Sequence, residues 1–337
     1  MAEQAIVEMV RFDAEMGAGT APFANLLLRS ESAASSQIEN LTAGSRKIAL
    51  AGLGDTSSGN ARLIMSNVAA MKAALDLSDD LSVQNIREMH RALMLESEPD
   101  IAGQIRESQV WIHGSSPHTA DFVPPHHERV TAALEDLAEF MQRDDVPALT
   151  QSAIAHAQFE TIRPFADGNG RTGRAIVGSI LRNKNVTERV TIPVSSGLLT
   201  DTATYFESLT AYREGDIQPI VELFAESTFR AIDNGRQLGA EIEEARNEYK
   251  GRVMHSKSKV AHDVVDFLTS EPAITAQMLK HRTDASESAV YRAMEVLLDA
   301  EVLKPAGKVK GMAVYIATDI IDALDDFAAR AGRRQRH

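Results

Sequence analysis

Chemistry in this sequence concentrates in Phe159–Arg174, FETIRPFADGNGRTGR. The stretch opens on a helical pattern, stops at Pro164, passes through Asp167-Gly168-Asn169-Gly170, and resumes as a helix from about Thr172. A loop of this kind feeding a helix N-terminus makes an anion site. Glycines let the backbone approach, unpaired N–H groups point outward, and the helix dipole favours negative charge. Arg171 and Arg174 add two guanidinium forks suited to phosphate oxygens. Asp167 beside them could hold Mg²⁺, which takes few carboxylates and completes its shell with phosphate oxygens. Together these residue types describe a cradle for a magnesium-bound nucleotide.

Two familiar phosphate-binding motifs fit the stretch less well. Gly168-x-Gly170-x-x-Gly173 matches the dinucleotide fingerprint letter for letter, but that motif needs a preceding strand and a parallel sheet. Here the preceding segment is helical and Pro164 intervenes. A Walker loop is excluded because no Gly-Lys-Ser/Thr follows. A salt-bridged turn between helices remains the plain alternative. It leaves unaccounted for three glycines, one Asp, one Asn and two arginines within the eight residues from Asp167 to Arg174.

The stretch resembles the Fic-family signature H-P-F-x-D-G-N-G-R-x-x-R, matching eight of its nine defined residues. The exception is the first, where Arg163 replaces histidine. The similarity runs over about residues 30–240. It implies a mostly helical protein that transfers AMP from ATP, with Mg²⁺, to a Ser, Thr or Tyr hydroxyl of a target protein. By position, Asp167 would hold the metal, and Gly168, Asn169 and Gly170 would cradle the phosphates. Arg171 and Arg174 would hold the outer phosphates, and Phe165 would pack the loop into the core. Doc-type kinases carry lysine at the position of Gly170, so the loop looks like the adenylylating branch. In the flap, Phe122 and Val123 would clamp the target segment as an added strand; a partnerless surface hairpin is the alternative.

In the family the missing histidine is the general base. Arginine stays protonated and offers only donors, so the nucleotide site should persist while most turnover is lost. His156 lies seven residues earlier, about 10 Å along a helix, and reads as a packing or hydrogen-bonding residue. His118, His126 and His127 read as solvated loop residues without a carboxylate partner. No base-reading residue is evident; Tyr205 and Tyr212 are candidates for stacking on a purine.

Upstream, Ser35-Ser36-Gln37-Ile38-Glu39-Asn40 is similar to the family's inhibitory pattern Ser/Thr-x-x-x-Glu-Gly/Asn. Ser35 and Glu39 stand four apart and face one way on a helix. A carboxylate delivered there could pair with Arg174 in place of the γ-phosphate. A Ser-x-x-x-Glu spacing also occurs on ordinary helix surfaces.

The elements that must position these groups follow from the rest of the chain. Its 337 residues allow roughly two domains at about 150 residues each. Hydrophobic residues at 44% and charged residues at 25% are those of a globular protein, which excludes collagen-like and wholly disordered classes. The absence of cysteine excludes disulfides, thiolate metal sites and cysteine catalysis, and fits a cytoplasmic setting. A net charge of −13 argues against whole-protein affinity for nucleic acid or anionic membrane. The acidic N-terminus lacks the pattern of a secretory signal, and no apolar run reaches eighteen residues, so no membrane span is expected.

Apolar spacing of three and four predicts helices through MSNVAAMKAALDL, VQNIREMHRALML, VTAALEDLAEFMQR, ALTQSAIAHAQFETI and RAIVGSILRNK. Residues 106–125 break that period with QVWI, a Gly-Ser-Ser-Pro turn and Pro124-Pro125, predicting a hairpin or flap. Residues 257–317 predict three short helices and a two-stranded wing. Residues 251–337 hold 13 basic and 12 acidic residues, a net of +1; the rest, with 22 basic and 36 acidic, carries −14. The expected organisation is an N-terminal helical region with the inhibitory helix (1–100), a core with flap and nucleotide loop (101–250), a winged helix-turn-helix (251–320), and a helix end with a basic tail (321–337). The fold class is mainly α: a Fic-type helical bundle with a small β-hairpin flap and a C-terminal winged-helix domain. Ser286–Ala300 is the candidate recognition helix, and Lys304, Lys308 and Lys310 would contact DNA along the wing, with interdomain or dimer packing as the alternative. A homo-oligomer is compatible with the sequence.

Overall fold

The computed structural model describes residues 1–17, 23–112 and 116–332; Gly114 and Ser115, where the sequence predicts a turn, and the basic tail from Arg333 to His337 lie outside them. Five helices precede the flap: α1 (Ala2–Gly17), α2 (Phe23–Ile38), α3 (Ser45–Gly52), α4 (Gly59–Asp76) and α5 (Val83–Met94). Six follow it: α6 (Val130–Gln142), α7 (Ala148–Ile162), α8 (Asn169–Asn183), α9 (Val194–Leu198), α10 (Thr202–Arg213) and the 36-residue α11 (Gln218–Val253). Each stretch with apolar spacing of three and four is helical; α5 and α6 bury one stripe, whereas α7 and α8 are enclosed on nearly every side. Ser58 and Ser82 start α4 and α5 by accepting the N–H groups of Ala61 and Asn85, as N-caps do.

One apolar cluster joins α5, α6, α7 and α8 through Ile86, Met89, Leu134, Phe159, Phe165 and Ile176. A larger one runs along α11, gathering Phe12 from α1, Leu26 and Leu27 from α2, and Phe224, Leu238 and Tyr249 from α11 itself.

The C-terminal elements are α12 (Lys259–Leu268), β1 (Ala273–Thr275), α13 (Ala276–Thr283), α14 (Glu287–Asp299), β2 (Lys304–Val309), β3 (Met312–Ile316) and α15 (Thr318–Ala331). The strands form an antiparallel sheet in the order β1-β3-β2, with Ala273 opposite Ile316 and Val309 opposite Met312. The expected two-stranded wing thus has a third strand. Three residues are too few to show an alternating pattern, so β1 left no signal beyond the Pro272 break. The boundary drawn at 250/251 falls in the last turn of α11, and that at 320/321 falls in the first turn of α15.

The flap is less regular than a hairpin. Among the described residues its pairing is one bridge, with Ile112 N–H donating to the Phe122 carbonyl at 2.9 Å and Asp121 N–H to the Ile112 carbonyl at 3.0 Å. Pro117, Pro124 and Pro125 carry no N–H and cannot extend the ladder. Among the described helices, none is long and apolar enough to cross a membrane.

Candidate anion and nucleotide site

The loop between α7 and α8 is built by two left-handed residues and an asparagine brace. Arg163 ends α7 at φ 44° and Gly168 precedes α8 at φ 71°. Glycine suits the second because a Cβ there is strained and would press on Leu93 and Met94. Asn169 ties the loop shut: its Oδ1 accepts the Phe165 N–H at 3.0 Å and its Nδ2 donates to the Phe165 carbonyl at 2.9 Å. Its amide is engaged at both ends inside the loop and the residue is buried, which leaves its backbone N–H as the group at the start of α8. α8 begins at Asn169, three residues before the expected Thr172, so Gly170 and Arg171 lie in the first turn, where N–H groups have no helical acceptor.

Two residues that the motif does not contain hold this loop from behind. His90, on α5, stacks flat on Phe165, with ring centroids 3.7 Å apart and planes at 4°. Its Nδ1 accepts the Gly103 N–H at 2.9 Å, which leaves Nε2 to donate to the Asp167 carbonyl at 3.0 Å. Burial pushes the His90 pKa down to about 4, so the ring is neutral. Arg106 donates to the backbone carbonyls of Arg163, Ser108 and Pro125 at 2.7, 2.9 and 2.6 Å, binding the α7–α8 loop to the root of the flap. Its own N–H donates to the Pro164 carbonyl at 2.9 Å. Neither residue stood out in sequence: His90 is one helical position among many, and Arg106 is one charge at the edge of an irregular stretch.

The charges gather on the open side. Glu39 follows the last residue of α2, and Asn40 turns the chain at φ 63°, a position that favours Asn or Gly. Glu39 Oε1 accepts from Arg174 Nη2 at 2.8 Å, and Oε2 accepts from Arg171 Nε at 3.0 Å. Arg174 also donates from Nε to the Ser35 hydroxyl and from Nη2 to the Ser35 carbonyl, each at 2.8 Å. Both arginines are about 95% buried, whereas the Glu39 side chain is 30% exposed. Burial works against the Arg174 charge, but Glu39, Tyr205 and Glu160 beside it outweigh burial and hold its pKa above the ordinary guanidinium range. The sequence expected Glu39 to meet Arg174; the structure adds Arg171.

These groups line a cleft of about 390 Å³ that also takes in Glu160, Arg163, Asp167 and Phe206. Arg163 points a guanidinium nitrogen at Glu160 Oε2, 3.3 Å away. Glu160 Oε1 is buried and has no hydrogen-bond partner among the described residues. The Asp167 carboxylate is 59% exposed, and its one ion-pair contact among the described residues is Arg171 at 3.7 Å, so its oxygens are free to take a cation.

Of the remaining candidates, Tyr205 backs the same cleft and the others fall outside it. His156 is fully buried and shares a 2.8 Å hydrogen bond with the Tyr205 hydroxyl; burial pushes its pKa down to about 3. Tyr205 is 1% exposed with its hydroxyl so engaged, and its ring is packed in the core instead of free for a purine. Tyr212 donates to Gln158 at 2.9 Å in a separate groove beside Phe140 and Arg143. The exposed aromatic at the cleft is Phe206, which the sequence pattern did not single out. His126 does have a carboxylate neighbour, Glu128 at 3.5 Å, because the two lie on one turn ahead of α6. Phe122 stacks under the Arg213 guanidinium at 4.0 Å, and Val123 is 42% exposed beside it in the flap. Lys304 and Lys308 are exposed along β2, and Lys310, just beyond it, is exposed too, with its ammonium lying over Gly54.

Residues 80–181, covering the whole loop and the helices that hold it, match the sequence profile of the Fic/DOC family. The chain carries a Fic/DOC family domain. The matched span is narrower than the 30–240 over which the sequence resembles the family, and Ser35–Asn40 lie outside it. Protein adenylyltransferase fic-1 of Caenorhabditis elegans is 30% identical over 165 residues, covering 48% of this chain and 30% of that protein. Protein adenylyltransferase Fic of Nematostella vectensis is 30% identical over 159 residues, covering 46% and 34%. The chain thus spans about a third of the length of these curated relatives. In structure, a Fic family protein of Desulfovibrio desulfuricans superposes with a TM-score of 0.58 at 21% identity, covering 93% of this chain and 95% of that one. Fic-1 of C. elegans gives 0.53 at 23% identity, covering 71% and 72%. These establish a mainly helical Fic fold.

Proposed function

We propose that the chain is a protein adenylyltransferase that transfers AMP from ATP to a hydroxyl of a target protein, restrained by Glu39 and slowed at the chemical step by Arg163. The observation that carries this is the Glu39 carboxylate lying across Arg171 and Arg174 at the start of α8. Two nearly buried guanidinium groups converging on one helix N-terminus form a site for a polyanion. A carboxylate from the chain itself occupies part of it. Relatives sharing the domain are named protein adenylyltransferases, which supports ATP as the substrate.

Asp167 would hold Mg²⁺, which supplies charge neutralisation for the polyphosphate; one free carboxylate facing a phosphate site suits that ion. The N–H groups of Gly170 and Arg171 and the two arginines would bind phosphate oxygens. In the transfer, the target hydroxyl oxygen bonds to the α-phosphorus, pyrophosphate leaves, and the hydroxyl proton must pass to a base. Arg163 cannot accept it. With Phe122 and Val123 in the flap presenting the target segment, binding is retained while proton removal is lost.

The test is calorimetric titration of ATP with Mg²⁺ into this chain and its Glu39→Gly variant. Binding that strengthens in the variant supports the proposal; absence of heat from both removes it.

A second role, a non-catalytic nucleotide-responsive DNA-binding regulator, is favoured by one observation: Lys304, Lys308 and Lys310 stay exposed on and just beyond a strand beside a helix-turn-helix arrangement of α13 and α14. Filter binding to random duplex DNA over a salt series distinguishes it, since a regulator should show a slope of several phosphates. A cytoplasmic setting belongs to the same proposal and rests on the absence of cysteine.

A further inference from the structure

The segment that carries Glu39 is fastened on both flanks to the C-terminal elements. Ten residues before it, Arg29 on α2 donates from Nη2 to both carboxylate oxygens of Glu271, at 2.9 and 2.7 Å, with both side chains about one-fifth exposed. Six residues after it, the Ser45 N–H that opens α3 donates to Asp325 Oδ1 on α15 at 2.8 Å. Arg46 adds a donation to the Ala306 carbonyl of β2 at 3.3 Å. α3 then lays Ala49, Leu50 and Leu53 against Val309, Val314 and Ile321, so the sheet packs its apolar face on this helix. Between these fastenings the chain has little slack, because Asn40 and Leu41 close the end of α2 with bonds to the Gln37 and Ser36 carbonyls. The reach of Glu39 to Arg171 and Arg174 is therefore a distance set by α2 and α3 together.

The seam is not fully packed. A cavity of about 60 Å³ lies within it, lined by Arg29, Gln37, Leu41, Ile48, Leu324 and Phe327. Packing defects of this size leave neighbouring side chains without contacts and lower the cost of rearrangement.

We propose that the C-terminal module regulates the anion site: its sheet and α15 hold α2 and α3 where Glu39 spans the two arginines, and loosening that seam frees the site for polyphosphate. The inference rests on Glu39 acting as the restraint. Coupling between two sites through a shared element is reciprocal, so polyphosphate that displaces Glu39 also loosens the module.

The experiment measures ATP affinity with Mg²⁺ on the full chain. Leu50→Asp, which places a charge in the seam, and Asp325→Ala, an exposed change that removes one fastening, should each raise ATP affinity, Leu50→Asp by about fivefold or more. Arg29→Glu should do the same, and the swap Arg29→Glu with Glu271→Arg should return it to the parent value. In a Glu39→Gly background all these variants should bind alike. If Glu39→Gly strengthens binding while folded Arg29→Glu and Asp325→Ala stay at the parent affinity, the coupling is refuted and the restraint stands. If Glu39→Gly itself changes nothing, the restraint fails first and the coupling with it.

Discussion

Glu39 Oε1 occupies the space into which a Cβ on Gly170 would project. The glycine thus lets a carboxylate at the end of α2 lie flat on the first turn of α8 and reach Arg171 and Arg174 at once. Gly170→Ala should push Glu39 aside and cost about 1–2 kcal/mol by urea denaturation, the usual scale for overpacking. The same substitution made with Glu39→Gly should cost little, since its collision partner is gone. Equal costs in both backgrounds would contradict the contact.

Arg163→His should restore proton acceptance at the end of α7. Combined with Glu39→Gly, it should raise incorporation of label from ATP carrying a radioactive α-phosphate by about 10² to 10⁴ over Glu39→Gly alone, the usual contribution of a positioned base. No gain would remove the account of Arg163.

Asn169→Ala should loosen the loop. It removes both bonds to the Phe165 backbone and leaves a buried N–H and carbonyl without partners, a loss of about 2–4 kcal/mol measurable as a lower denaturation midpoint. ATP affinity should fall with it, because the first turn of α8 loses its alignment.

The pH dependence of stability should have two limbs. His90 and His156 have folded pKa values near 4 and 3, below the ordinary 6.5, so their contribution is complete above pH 6.5 and is lost as acid protonates them through those folded values. Glu31 behaves oppositely. Burial raises it to about 7 despite its bonds from the Ser195 N–H and hydroxyl, so the folded state holds an extra proton between about 4.5 and 7 and loses stability as pH rises through that range. Glu31→Gln should therefore raise the melting temperature at pH 8, by up to about 3 kcal/mol in stability, and change little at pH 4. A gain of equal size at both values would disprove the assignment.

Much of the site was legible in the sequence alone. Phe159–Arg174 announced itself because anion binding needs glycine, a helix start and guanidinium groups in one short run, so the whole requirement is written locally. The helices were legible for a similar reason: a buried stripe repeats every three or four residues within a single segment. What stayed hidden is what distant segments supply. His90 and Arg106 hold the loop through backbone carbonyls, which carry no sequence identity, and β1 exists only because β3 lies beside it.

The Ser35–Asn40 stretch shows the division most clearly. Its sequence settled the spacing that lets Ser35 and Glu39 share one side and the αL-tolerant residue that closes the helix behind them. Whether that carboxylate meets one arginine, two or none depended on where its segment sits, with α2 tied to Glu271 and α3 tied to Asp325 and a sheet, all more than two hundred residues away. Local chemistry can be encoded in a few neighbouring side chains; the distance between two charges brought from opposite ends of a chain is a property of everything packed between them.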